Sequence, residues 1–67
     1  MATQIFISEH KGDDNNDGLT YETPVLTSHR AKEVASTVEN PSYYVEGGDI
    51  YGRRIRAELG IGSILAG

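Results

Sequence analysis

The sequence predicts a small α/β (α+β) unit of short strands and one capping helix, stabilised by assembly with other chains. Three observations carry that expectation. The chain has 67 residues, the size of a single domain. β-branched and aromatic residues cluster in short runs bounded by turn formers. One stretch carries an apolar stripe at helical spacing.

Composition supplies the demand for a partner. Leu, Ile, Val and Phe together number 15 of 67 residues, just above the level of about 20% below which chains tend to stay unfolded. Burial on folding contributes about 95 kcal/mol at about 25 cal/mol per Å². Ordering the chain costs about 100 kcal/mol at about 1.5 kcal/mol per residue. The two terms cancel, and small domains in that position rely on disulfides, a metal or a partner. Cysteine is absent, which removes disulfides, thiolate metal sites and cysteine nucleophiles. A partner chain or a bound ion remains.

The elements follow in order. Thr3-Gln4-Ile5-Phe6-Ile7-Ser8 reads as a strand, with Ile5 and Ile7 on one face and Phe6 on the other. Residues 9–23 read as a loop, because Gly12-Asp13-Asp14-Asn15-Asn16-Asp17-Gly18 holds only turn formers. Pro24 then biases Thr23 towards extended backbone. Residues 28–39 read as a helix: Ala31, Val34, Ala35 and Val38 fall at i, i+3, i+4 and i+7. Thr27 or Ser28 caps its first amides, Leu26 staples its entry, and Asn40-Pro41 stops it.

Tyr43-Tyr44-Val45-Glu46 reads as a second strand. Gly47-Gly48 makes either a tight hairpin turn or a corner. Asp49-Ile50-Tyr51 reads as a further strand, interrupted at Gly52 and resumed by Arg53-Arg54-Ile55-Arg56. Residues 1–54 are expected to form one unit, and residues 55–67 an apolar, glycine-rich C-terminal docking arm. Glycine there disfavours an isolated helix, since each costs about 1 kcal/mol relative to Ala.

The order of Ile5-Phe6-Ile7, the Gly12–Gly18 run, Glu22-Thr23-Pro24, Leu26-Thr27 and Ala31 resembles the opening of right-handed parallel beta-helix proteins. Pectate-lyase-like proteins and phage tailspikes belong to that group. The resemblance implies that the unit is built like a first coil, with the helix capping it and Tyr43 to Tyr51 supplying strand, glycine turn and strand. It covers residues 5–55. The family continues for many coils, and its catalytic carboxylates lie on later ones, so none is carried over. A single coil cannot stack on itself, and solenoid units gain stability from their neighbours.

Local motifs add little chemistry. Asp13-Asp14-Asn15-Asn16-Asp17-Gly18 matches the start of an EF-hand loop, but Pro24 stands where the bidentate Glu is required and a strand precedes it. The expectation is a polar turn that caps its own backbone, with no metal and no cofactor. His10 and His29 lack zinc spacing. Ser8 with His10 and Ser28 with His29 lack an oxyanion loop. The spaced carboxylates Glu9, Glu22, Glu33, Glu39 and Glu46 form no evident pair. No enzyme is expected.

Net charge is −4, which does not suit a duplex-DNA binder, and no apolar run reaches the roughly 20 residues of a membrane span. Neither nucleic acid nor membrane is therefore an expected partner. An interface is expected at Tyr43, Tyr44 and Tyr51, whose apolar bodies and polar tips suit one. Arg53, Arg54 and Arg56 with Leu59, Ile61, Ile64 and Leu65 would extend it. The resemblance and the need for neighbours point to a structural bacteriophage virion protein, decorating or cementing a capsid or forming part of a tail or spike. Such a chain is made in the host cytoplasm and assembles with other virion proteins or copies of itself. Two other expectations stand beside it: the N-terminal fragment of a carbohydrate-active or carbohydrate-binding beta-helix protein, and a calcium-dependent binding module.

Overall fold

The structure, a computed structural model, describes residues 3–60. They form a small α+β unit of two parallel strands and two helices: β1 (Thr3–Ser8), α1 (Ser28–Ala35), β2 (Pro41–Glu46) and α2 (Asp49–Leu59). The strands pair in parallel from Thr3 opposite Pro41 to Ser8 opposite Glu46. Parallel strands need a crossover of a dozen or more residues, and α1 with its flanking loops supplies it.

Alternation along the strands separates two faces. Ile5, Ile7 and Val45 point to the helices and form the core with Val25, Ala31, Val34 and Ile55. Ala35, Val38, Tyr43, Tyr51 and Leu59 pack around it, half-buried. Phe6 and Tyr44 point the other way.

The outer edge of β1 is sealed by the loop. Phe6 N–H donates to the Gly18 carbonyl at 2.7 Å, Val25 N–H to the Phe6 carbonyl at 2.9 Å, and Ser8 N–H to the Val25 carbonyl at 3.0 Å. Gly12 passes so close beneath that a Cβ there would lie 2.1 Å from the Ser8 carbonyl oxygen. Asp14 ties the loop to the helix start: Oδ1 accepts the Leu26 and Thr27 amides, and Oδ2 accepts the Thr27 hydroxyl. Thr27 in turn caps α1 by accepting the Arg30 amide at 3.2 Å, as the sequence suggested.

Three expectations need correction. The first helix ends at Ala35, not at residue 39. Ser36 Oγ donates to the Glu33 carbonyl and Thr37 Oγ1 to the Val34 carbonyl, each at 2.7 Å, and these local bonds compete with another helical turn. Asn40, at φ 47°, then swings the chain into β2.

Gly47-Gly48 makes a corner, not a hairpin turn. Gly48 is the extended N-cap of α2, and its N–H donates to Glu9 Oε1 at 2.9 Å. Asp49-Ile50-Tyr51 and Arg53-Arg54-Ile55-Arg56 are therefore helical, not strands. Tyr51, Ile55 and Leu59, at i, i+4 and i+8, pack on the core. That spacing is a helical signal, with Gly52 interrupting it in the sequence.

The expected docking arm starts at residue 55, yet Ile55 is a core residue, 3% exposed, and Leu59 packs beside it. Ile61, Ile64 and Leu65 lie outside the described residues.

Candidate functional site

Two surfaces concentrate recognition chemistry. The first is the sheet face opposite the helices. Phe6 and Tyr44 are cross-strand neighbours with ring centroids 5.7 Å apart. Tyr21, from the loop, meets both edge-on at 6.2 and 6.5 Å. Edge-to-face contacts of this kind are favourable beyond the area they bury. Lys11 sets its ammonium 3.7 Å above the Tyr21 ring, a cation–π contact. Glu46 closes the cluster at the strand end: Tyr21 OH donates to Oε2 at 2.9 Å and Ser8 Oγ to Oε1 at 3.2 Å. Tyr21 remains 43% exposed, so the cluster is open to solvent at its centre.

The second surface is a groove of about 300 Å³ between the start of α1 and one side of α2. Leu26, Tyr51 and Ile55 give it apolar walls, and Ser28, His29, Arg54 and Glu58 give it polar ones. Ser28 Oγ donates to Glu58 Oε1, and Tyr51 OH donates to the Leu26 carbonyl. Hydrogen bonds from Ser28 and Arg54 hold the Glu58 carboxyl below its ordinary value. Burial pushes the Tyr51 phenol up to about 12, with the charges of Glu9 and Asp14 adding to the effect. Tyr51 is thus a neutral donor across the physiological range. Ile50 stands 86% exposed on the first turn of α2.

The acidic loop is occupied with its own backbone. Burial pushes the Asp14 carboxyl upward, but its bonds from Thr27 and Leu26 and the nearby Arg30 cation outweigh that and hold it below the ordinary value. Asp17 is lowered by the Leu19 amide and the Thr23 hydroxyl. Asp13 Oδ1 accepts the Asn15 amide at 2.9 Å. Among the described residues no group of three or more His, Asp or Glu is arranged to hold a metal ion. No described helix is long and apolar enough to cross a membrane.

Among the described residues, the sequence-predicted interface residues do not meet in one patch. Tyr44 joins the open sheet face, whereas Tyr43 packs on the core side and Tyr51 walls the groove. Arg53, Arg54 and Arg56 lie on α2, where Arg54 pairs with Glu58 at 3.4 Å. Sequence reasoning missed Tyr21 and Lys11 as members of the aromatic face. Phe6 was placed on the face opposite Ile5 and Ile7, but nothing in the sequence showed which loop residue would cover it. The Ser28–Glu58 contact spans 30 residues and leaves no local trace. No family model, curated protein or solved structure matches the chain.

Proposed function

We propose that this chain is a structural component of a bacteriophage particle that acts by protein–protein assembly, as capsid decoration or cement or within a tail or spike. One observation carries the assembly part of this reading. Both helices pack on one face of the sheet, and the other face presents the solvent-open Phe6–Tyr21–Tyr44 cluster. Tyrosine and phenylalanine rimmed by a lysine and a carboxylate match the composition of protein interfaces. The small core supports the same reading, since seven buried apolar residues hold the described unit. The placement in a virion rests on the sequence resemblance to phage spikes.

The parallel pairing of β1 with β2 favours a second reading, the opening coil of a longer carbohydrate-active or carbohydrate-binding solenoid. Solenoid coils stack strand on strand in this manner.

The test is mass spectrometry of purified particles, together with incorporation of Tyr44→Glu, which puts a charge into the aromatic face. Stoichiometric presence of the wild type, with loss of the variant, is the expected result. A wild type that folds in the same cells and never enters particles overturns the virion reading.

A further inference from the structure

Purely parallel sheets are normally covered on both faces, because their crossover helices form a layer on each side. Here α1 and α2 both pack on the face of Ile5, Ile7 and Val45. On the other face Phe6 and Tyr44 are half-buried, and Tyr21, laid over them from the loop, is exposed. The sheet thus has one helix layer where such sheets have two. Charge divides along the same axis. Five of the six Lys and Arg side chains lie in α1 and α2 against three carboxylates, which leaves the helices at +2. The rest of the chain sets Lys11 against seven carboxylates, or −6, and the two parts together give the net −4. Lys11 itself lies over the Tyr21 ring.

The exposed large apolar side chains split in the same way among the described residues. Leu19 and Tyr21 stand on the loop, in a stretch bracketed by Asp17 and Glu22. Leu26 lines the groove between the helices, and Ile50 stands one helical turn before Arg54 on the groove wall. We propose that the bare sheet face of one copy of this chain is covered by the helix layer of a second copy, with Leu19 and Tyr21 of the first seated at the groove between α1 and α2 of the second. The inference rests on the assembly reading above and names the partner of the aromatic face.

Complementarity selects a second copy as the occupant. An acidic face with aromatic side chains at its centre meets a cationic layer with an apolar groove, and each copy carries both. Two sheet faces placed together would oppose acidic surfaces, and two helix layers would oppose arginines. Arg54 is the rim cation that the incoming loop meets. Its pair with Glu58 is exposed and lies within one helix, a kind of contact worth little. The guanidinium can therefore turn to Glu22 of the neighbour. The two surfaces lie on opposite sides of the sheet, so the contact is head-to-tail, and each copy covers one neighbour while another covers it.

The experiment is sedimentation velocity of the full chain over a wide concentration range. The average mass should rise past a dimer with concentration, without a lag, and fall again on dilution. Glu22→Arg and Arg54→Glu should each weaken association about tenfold. An equimolar mixture of the two variants should recover the wild-type affinity, because each loop then meets a groove of opposite charge. Both positions are exposed, so dilute samples should keep the wild-type circular dichroism spectrum. The mixture is the deciding arm, since an association lost through misfolding is not restored by mixing. A wild type that is monomeric throughout overturns the proposal, as do a mass that stops at a dimer and variants that mixing does not rescue. Particle incorporation is read separately. A monomeric protein that still enters particles would refute the stacking alone, and a stack rescued by mixing that never enters them would refute the virion reading alone.

Discussion

The two edges of this small sheet are finished differently. Along β1, Gly18 and Val25 take the place of a third strand and pair with the N–H and C=O of Phe6 and the N–H of Ser8, while Gly12 lies close against the Ser8 carbonyl. Along β2, the outward groups of Tyr43 and Val45 have no partner among the described residues. An unpaired strand edge is a site of association, and natural sheets usually cover one they do not use. The acidic loop that resembles a calcium-binding sequence is thus an edge cover. Its carboxylates serve backbone amides that would otherwise be unpaired at the turn.

The largest expected effect comes from opening the sealed edge. Gly12→Val drives a side chain into the Ser8 and Val25 carbonyls. It should destabilise the fold by more than about 3 kcal/mol, enough to unfold a marginal domain. Chemical denaturation followed by circular dichroism measures it, and a near-wild-type midpoint would show that the loop does not seal β1.

Next is the clasp on the same loop. Asp14→Ala removes acceptors from Leu26 and Thr27 and should cost about 1–2 kcal/mol at neutral pH. The Asp14 carboxyl sits below its ordinary value of 3.8. Its contribution is therefore complete above that value and is lost as pH falls through the lower folded value. The difference between wild type and variant should shrink as acid titration proceeds below about 3.8; a constant difference would mean that charge is irrelevant to the clasp.

Tyr51 joins α2 to the sealed side through the Leu26 carbonyl. Its pKa is raised from 10.0 to about 12, so the folded state holds this proton more tightly than the unfolded chain. Stability from this group is complete below pH 10 and declines as pH rises towards about 12. Tyr51→Phe should cost about 1 kcal/mol at pH 7 and flatten that alkaline decline in thermal melts. An unchanged slope would assign it to other groups.

The smallest effect belongs to the other edge. Ser42→Val adds a β-branched side chain at an exposed position and should change the stability of the isolated chain by no more than about 0.5 kcal/mol. Equal damage from Gly12→Val and Ser42→Val would erase the contrast between the edges.

The legible parts of the molecule were the local ones. Thr3–Ser8 and the Thr27-capped helix start were written in β-branched clustering and capping chemistry. The parallel pairing of β1 with β2 was not, because register between strands 38 residues apart depends on packing that no short window contains. α2 was misread because Ile50 and Tyr51 favour strands and Gly52 disfavours helices. Tertiary contact at Ile55 and Leu59, with Gly48 held by Glu9, overrides those preferences. Tyr44 lies on the second strand, where the sequence places it. Its partners Phe6 and Tyr21 come from distant segments, and the sequence had grouped it instead with Tyr43 and Tyr51.

The loop that covers β1 also keeps that strand from acting as a template. Loosening it at Gly12 would bare the outward groups of Phe6 and Ser8, and a bared strand edge recruits other chains. Besides lost stability, that change should bring slow, seedable polymerisation that the wild type resists even when concentrated.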